Sequence, residues 1–157
     1  MAIRKVVKVG EGVLRKKSKP VKDFDESLWE LLDDMKETMY ENDGMGLAAP
    51  QVGVLRRAVV MEVNSNFFEF INPEIISRKG EDIEEEGCLS VGSFRGRVKR
   101  PYEVTVKAYD RYGYPFTVKG EKWLARCICH ELDHLDGVLF IDRTIDRDDY
   151  IKKGGKF

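Results

Sequence analysis

The stretch CICHELDHLDG, residues 127–137, holds both histidines of this 157-residue chain, with Glu131 between them. On an α-helix, positions four apart lie on one face about one turn from each other, so His130 and His134 can aim ring nitrogens at a single point. This constrains the fold more than any other feature. It requires a helix here and a second segment that meets it to complete a site. The HExxH spacing supplies two imidazoles for a cation and a carboxylate beside it to act as general base.

A catalytic metal takes three protein ligands and keeps one position for water. Cys127 shares the helical face but stands seven residues from His134, about 10 Å along the axis. Bonds of about 2.0–2.3 Å cannot reach one ion from both ends of that span. Cys129 points about 100° away from His130. Both cysteines therefore read as small buried residues, with Cys127 able to line a pocket. Cys88, in EEEGCLSVG, remains. Three acids directly before it are a poor setting for a plain core residue, and a thiolate on a separate loop or strand edge can approach from the side opposite the helix. Glu131 projects about 100° round the helix from His130. It stands beside the cation, where it can take a proton from water and deliver it to a leaving group.

The chain is 18.1 kDa, 42% hydrophobic and 35% charged, which suits one globular domain spanning residues 1–157. A net charge of −1 removes any bulk electrostatic case for nucleic acid, and no specific DNA binding is expected. The signs are uneven, however. Residues 1–22 are rich in Lys and Arg, and residues 23–43 in Asp and Glu. This predicts two solvated faces that attract each other; transient contact with the ribosome is the other reading of the basic stretch. Three cysteines are too few and too odd in number for a disulfide framework. No apolar run approaches membrane-spanning length and no export signal is visible, so a reducing cytoplasm is the expected home.

Residues 25–41 have the helical spacing of Leu28, Leu31, Leu32, Met35 and Met39, with Asp23 or Asp25 as cap and Asn42-Asp43-Gly44 as terminator. Strands are expected at 58–63, 67–71, 103–110 and 116–119, with a turn at 112–115. A second helix is expected over 121–135, stopped near Gly137, then a short strand at 138–141 and a frayed tail, IKKGGKF. Strands are not interleaved with helices. The class is therefore α+β, with mixed or antiparallel strands packed around a central helix bearing HExxH.

Three motifs occur together: GMGLAAPQ at 44–51, EGCLS at 86–90 and HELDH at 130–134. In this order and spacing the chain resembles the peptide deformylase family over nearly its whole length. Two departures are Cys129, where the family usually has glutamine before the first histidine, and Val91-Gly92-Ser93, where a proline often follows EGCLS. The resemblance implies removal of the formyl group from N-formyl-methionyl nascent polypeptides, with release of formate. It implies one divalent metal on Cys88, His130 and His134, Fe²⁺ first, with Zn²⁺, Ni²⁺ or Co²⁺ as alternatives. It implies Glu131 as the acid–base group, and the side-chain amide of Gln51 with the backbone N–H of Leu89 as oxyanion donors. Gly44, Met45 and Gly46 on one side, and Glu86 and Gly87 on the other, would flank an extended substrate. Met45 and Cys127 would help form a methionine pocket, and Arg95 would hold a substrate carbonyl. The rivals are another HExxH peptidase and a non-catalytic metal-binding protein.

Overall fold

A strand that is apolar on both faces has to be covered twice. Residues 58–63 are such a strand: Ala58 and Val60 point one way, Val59, Met61 and Val63 the other, and all five are buried. The computed structural model, which describes residues 2–157, builds the fold around it. The strands are β1 (Gly46–Ala48), β2 (Ala58–Val63), β3 (Asn66–Lys79), β4 (Asp82–Glu86), β5 (Gly96–Arg100), β6 (Glu103–Tyr109) and β7 (Pro115–Glu121). Five of them form one sheet in the order β1-β2-β3-β6-β7, while β4 and β5 form a separate hairpin. Every strand pair is antiparallel.

Two helices cover the two faces. Helix α1 (Glu26–Glu41) lays Leu28, Leu31, Leu32, Met35 and Met39 against Ala58, Val60 and Ile71. Helix α2 (Trp123–Leu135) lays Ala125, Ile128, Leu132 and Leu135 against Val59, Met61, Phe70 and Val106. Each fully buried side chain of this size contributes roughly 1.5–3 kcal/mol relative to exposure. The histidine helix is thus pinned along one side by a continuous apolar stripe, and its other side is free to carry chemistry. Of the two candidate caps for α1, Asp25 does the work, accepting a hydrogen bond from the Leu28 amide at 3.1 Å.

The basic N-terminal stretch lies against acidic α1, as the charge pattern suggests. Arg4 Nε donates to Asp34 at 2.8 Å, and the Ala2 amide donates to the same carboxylate at 2.7 Å. Three features differ from expectation. The run 138–141 is not a strand: α3 (Phe140–Arg143) begins there, with the Leu139 amide donating to Asp142 at 2.9 Å. A four-residue apolar run carries no period that separates strand from helix. The strand at 67–71 continues to Lys79, and bulges carry it past Pro73. The tail does not fray. Helix α4 (Arg147–Lys152) is followed by a turn in which the Tyr150 hydroxyl donates to the Lys156 carbonyl and Phe157 packs edge-on against the Tyr150 ring. Among the described residues no helix is long and apolar enough to cross a membrane.

Candidate active site

Three segments meet at one end of α2. From the helix come His130 and His134, ring centroids 5.1 Å apart. From the turn that leaves β4 comes Cys88, whose Sγ lies 3.4 Å from His134 Nε2. One donor atom from each of the three lies within 4.8 Å of the other two. Tetrahedral bonds of about 2.0–2.3 Å would set such donors roughly 3.5 Å apart, so the set fits a single cation. Cys127 is not part of this cluster. It is buried with its sulfur 4.0 Å from the Met45 carbonyl, on the wall of the adjoining cleft.

The third segment is the short 3-10 helix Ala49–Val52 that follows β1. It buries Gln51. The Gln51 Oε1 accepts from the Ala48 amide at 3.0 Å, which orients the amide nitrogen. That nitrogen donates to Ser90 Oγ at 3.1 Å and reaches Cys88 Sγ at 3.5 Å. Behind the EGCLS turn runs the N-terminal arm. The amide of Val7 donates to Gln51 O and that of Val9 to Ser90 O, both at 2.7 Å, and Lys8 Nζ reaches Leu89 O at 2.6 Å. The arm therefore ties the two catalytic-loop candidates to each other.

Glu131 is buried against the backbone of β1. A Cβ placed on Gly46 would lie 2.5 Å from Glu131 Oε2, so only glycine permits this approach. Its Oε1 has no hydrogen-bond partner among the described residues. A buried, unpartnered carboxylate oxygen beside a convergent donor set is a mark of a site that holds something else. Burial pushes the Glu131 carboxyl up to about 7, and Glu86 pushes it the same way; the charges of His130 and Arg100 oppose this. Burial likewise drives His134 well below the ordinary imidazole range, toward the neutral form a metal requires.

Glu86 is among the residues that line the cleft, and its carboxylate is buried among cationic partners. It accepts from Arg100 at 2.9 and 3.0 Å and from Arg126 at 2.6 Å, and bonds His130 Nδ1 at 2.8 Å. Burial opposes its ionisation, but these partners outweigh that and hold it well below the usual carboxylate range. Burial opposes a charged His130, but its contacts with Cys88 and Glu86 and the charge of Glu131 hold the ring well above the ordinary imidazole range; with Glu86 accepting the Nδ1 proton, a cation on Nε2 would stand in place of that nitrogen's proton. The motif reading missed Arg100 and Arg126. Arg126 stands one turn before His130, so the helical period that aligns the histidines could have revealed it.

The cleft in front of this cluster has a volume of about 590 Å³. Met45, Gly46, Gln51, Gly87, Cys88, Leu89, Arg95, Cys127, His130 and Glu131 border it, while Gly44 and His134 do not. Gly44 backs onto Leu89, whose Cδ1 would lie 2.9 Å from an added Cβ. Trp123 and Phe94 also line the cleft and were not singled out by spacing or motif. Arg95 is held by Glu85 at 3.0 Å at the rim.

Comparison with known proteins agrees with this arrangement. A family profile described as polypeptide deformylase matches residues 3–150. The chain is 54% identical over 145 residues to the peptide deformylase of Caldicellulosiruptor bescii, covering 92% of this chain and 87% of that one. It is also 54% identical to that of Thermoanaerobacter pseudethanolicus, covering 92% and 91%. Its backbone matches the crystal structure of a Legionella pneumophila peptide deformylase with a TM-score of 0.92 at 46% identity, covering 98% and 92%. An Ehrlichia chaffeensis peptide deformylase, solved with actinonin, gives a TM-score of 0.93 at 37% identity, covering 98% and 96%. The chain belongs to the polypeptide deformylase family.

Proposed function

We propose that the chain hydrolyses the formamide at the N-terminus of new polypeptides at a divalent cation held by Cys88, His130 and His134. Membership of the family carries the overall reaction: formyl-methionyl chain and water become formate and a free amine. The convergence of one sulfur and two ring nitrogens beside an unpartnered buried carboxylate carries the residue roles. Cys88, His130 and His134 would hold the cation, which would supply a water acidified to about pKa 7 and Lewis-acid polarisation of the formamide.

The protein's own groups do the rest. Glu131, raised to about 7, takes the proton that water loses as its oxygen bonds to the formyl carbon. As the carbon–nitrogen bond breaks, Glu131 delivers that proton to the nitrogen. The Gln51 side-chain amide and the Leu89 N–H donate to the oxygen that gains charge. Met45, Trp123 and Cys127 give the cleft an apolar wall suited to a methionine side chain. The segments at Gly46 and Gly87 border the cleft, where an extended chain would pair as an added strand. Fe²⁺ is the metal the family resemblance favours, and one thiolate with two imidazoles also accepts zinc, nickel or cobalt. Three free thiols suit a cytoplasmic enzyme. A transient contact with the ribosome would place it beside its substrate, and no DNA target is proposed.

Formate release tests the reading. Anaerobically purified protein releases formate from formyl-Met-Ala-Ser and cleaves no peptide bond in Met-Ala-Ser; peptide cleavage would instead point to an HExxH peptidase. Glu131→Gln keeps its metal by elemental analysis and loses roughly 10²–10⁴ in turnover. Turnover that survives in this variant would remove Glu131 from the proton path.

A further inference from the structure

The tail expected to fray instead builds a wall. Residues 153–156 fold back over Tyr150, with the Gly155 amide donating to the Tyr150 carbonyl at 2.9 Å. The Phe94 ring packs on Tyr150, centroids 4.8 Å apart. Between this tail and the loop after EGCLS lies a second cleft of about 590 Å³. It shares Ser93, Phe94 and Arg95 with the cleft in front of Cys88, so the two clefts border the same loop. Arg95 stands at the junction, its guanidinium 2.6 Å from where a Cβ on Gly87 would be.

The two clefts differ in charge. Asp43, Glu85, Glu86 and Glu131 line the main cleft. No carboxylate lines the side cleft, whose charged side chains are Arg95, Lys153 and Lys156. Lys8 adds a cation on the neighbouring wall of the main cleft. Glu85 pairs with Arg95 at 3.0 Å and Asp149 with Lys153 at 3.1 Å, while Lys156 has no ion pair among the described residues. A polypeptide bound by its N-terminus has to leave the main cleft, and the side cleft lies on the other border of the loop that follows Cys88.

We propose that the side cleft is an exit subsite for the nascent chain, and that its cations favour substrates with acidic residues downstream of the formyl-methionine. The proposal rests on the deformylase reading and adds a specificity to it. The selecting residues are Lys153 and Lys156, with Arg95 shared between the two clefts. These cations are exposed, so the preference is a matter of encounter and loose holding rather than of buried pairing. It therefore shows in KM and is sensitive to salt.

The test uses formyl-Met-Ala-Ser peptides extended with a pair of Asp, Ser or Lys residues placed at successive later positions, and measures formate release. At low ionic strength the Asp series should exceed the Lys series by about threefold to tenfold in kcat/KM, mostly through KM. The gap should close at about 0.5 M salt, where the screening length is only a few ångströms. The double variant Lys153→Glu with Lys156→Glu, checked for an unchanged melting temperature, should reverse the order. Equal rates for Asp and Lys peptides, or an unreversed order in that variant, overturn the proposal. Absence of formate from every formyl peptide would sink the deformylase reading itself, a different result from formate released without preference.

Discussion

At the scale of single residues, the site rests on close approach. Glu131 reaches its place because Gly46 has no side chain, with 2.5 Å between Glu131 Oε2 and the missing Cβ. Gly46→Ala must displace either the carboxylate or β1. A misplacement of about 1 Å can cost on the order of 10²-fold in rate. The variant should therefore lose kcat while keeping its metal content and its melting temperature, measured by formate release, elemental analysis and thermal unfolding. A fully active alanine variant would show that Glu131 tolerates movement. Much of this scale was legible in the chain. The donors Cys88, His130 and His134 stand out because so few residue types bind metal and the chain has only two histidines. The burial of Glu86 did not stand out. Its neighbours Glu84 and Glu85 are exposed, and strand alternation distinguishes it only from Glu85, since Glu84 has the same parity.

At the scale of elements, α2 and the β4–β5 hairpin are held together by charge. Glu86 on β4 joins Arg100 on β5 to Arg126 and His130 on α2, all buried. Removing one partner of such a cluster leaves the others unpaired in a dry place, at a cost of about 3–5 kcal/mol. Glu86→Ala should show that loss in denaturant unfolding. It should also bind metal about 10–100-fold more weakly, because His130 loses the group that orients it. Metal titration of the variant with the same affinity as the parent would remove Glu86 from that role. The hairpin was hard to read from sequence for the same reason. Its inward face carries Glu86 and Arg100 where an ordinary strand would carry apolar residues, so it lacks both the apolar run that identified β2 and the alternation that identified β6. The long helices, by contrast, carry regular apolar stripes, and their positions follow from spacing.

At the scale of the whole molecule, the N-terminal arm connects α1 to the site. Asp34 anchors it through Ala2 and Arg4, and further along it bonds the backbone of Gln51 and Ser90. Burial opposes ionisation of Asp34, but the Ala2 amide and the Arg4 guanidinium outweigh it and hold the carboxyl below its ordinary value of 3.8. This anchor is therefore complete above pH 3.8 and is lost as pH falls through the depressed value. Protection of the Arg4 amide, taken relative to its intrinsic exchange rate at each pH, should fall in that acid window in the parent, and should already be low at neutral pH in Asp34→Ala. Slow exchange in the variant would show that the arm is held by its other contacts. The sequence by itself determined the α+β class, the two amphipathic helices, the candidate metal donors and the candidate acid–base glutamate, because each is set by a local period or by the chemistry of a rare residue type. Only the tertiary structure decided which carboxylate supports His130, that the arm braces both loops, and that the tail walls a second cleft. Those depend on contacts between segments far apart in the chain, and such contacts leave no period in the sequence to read.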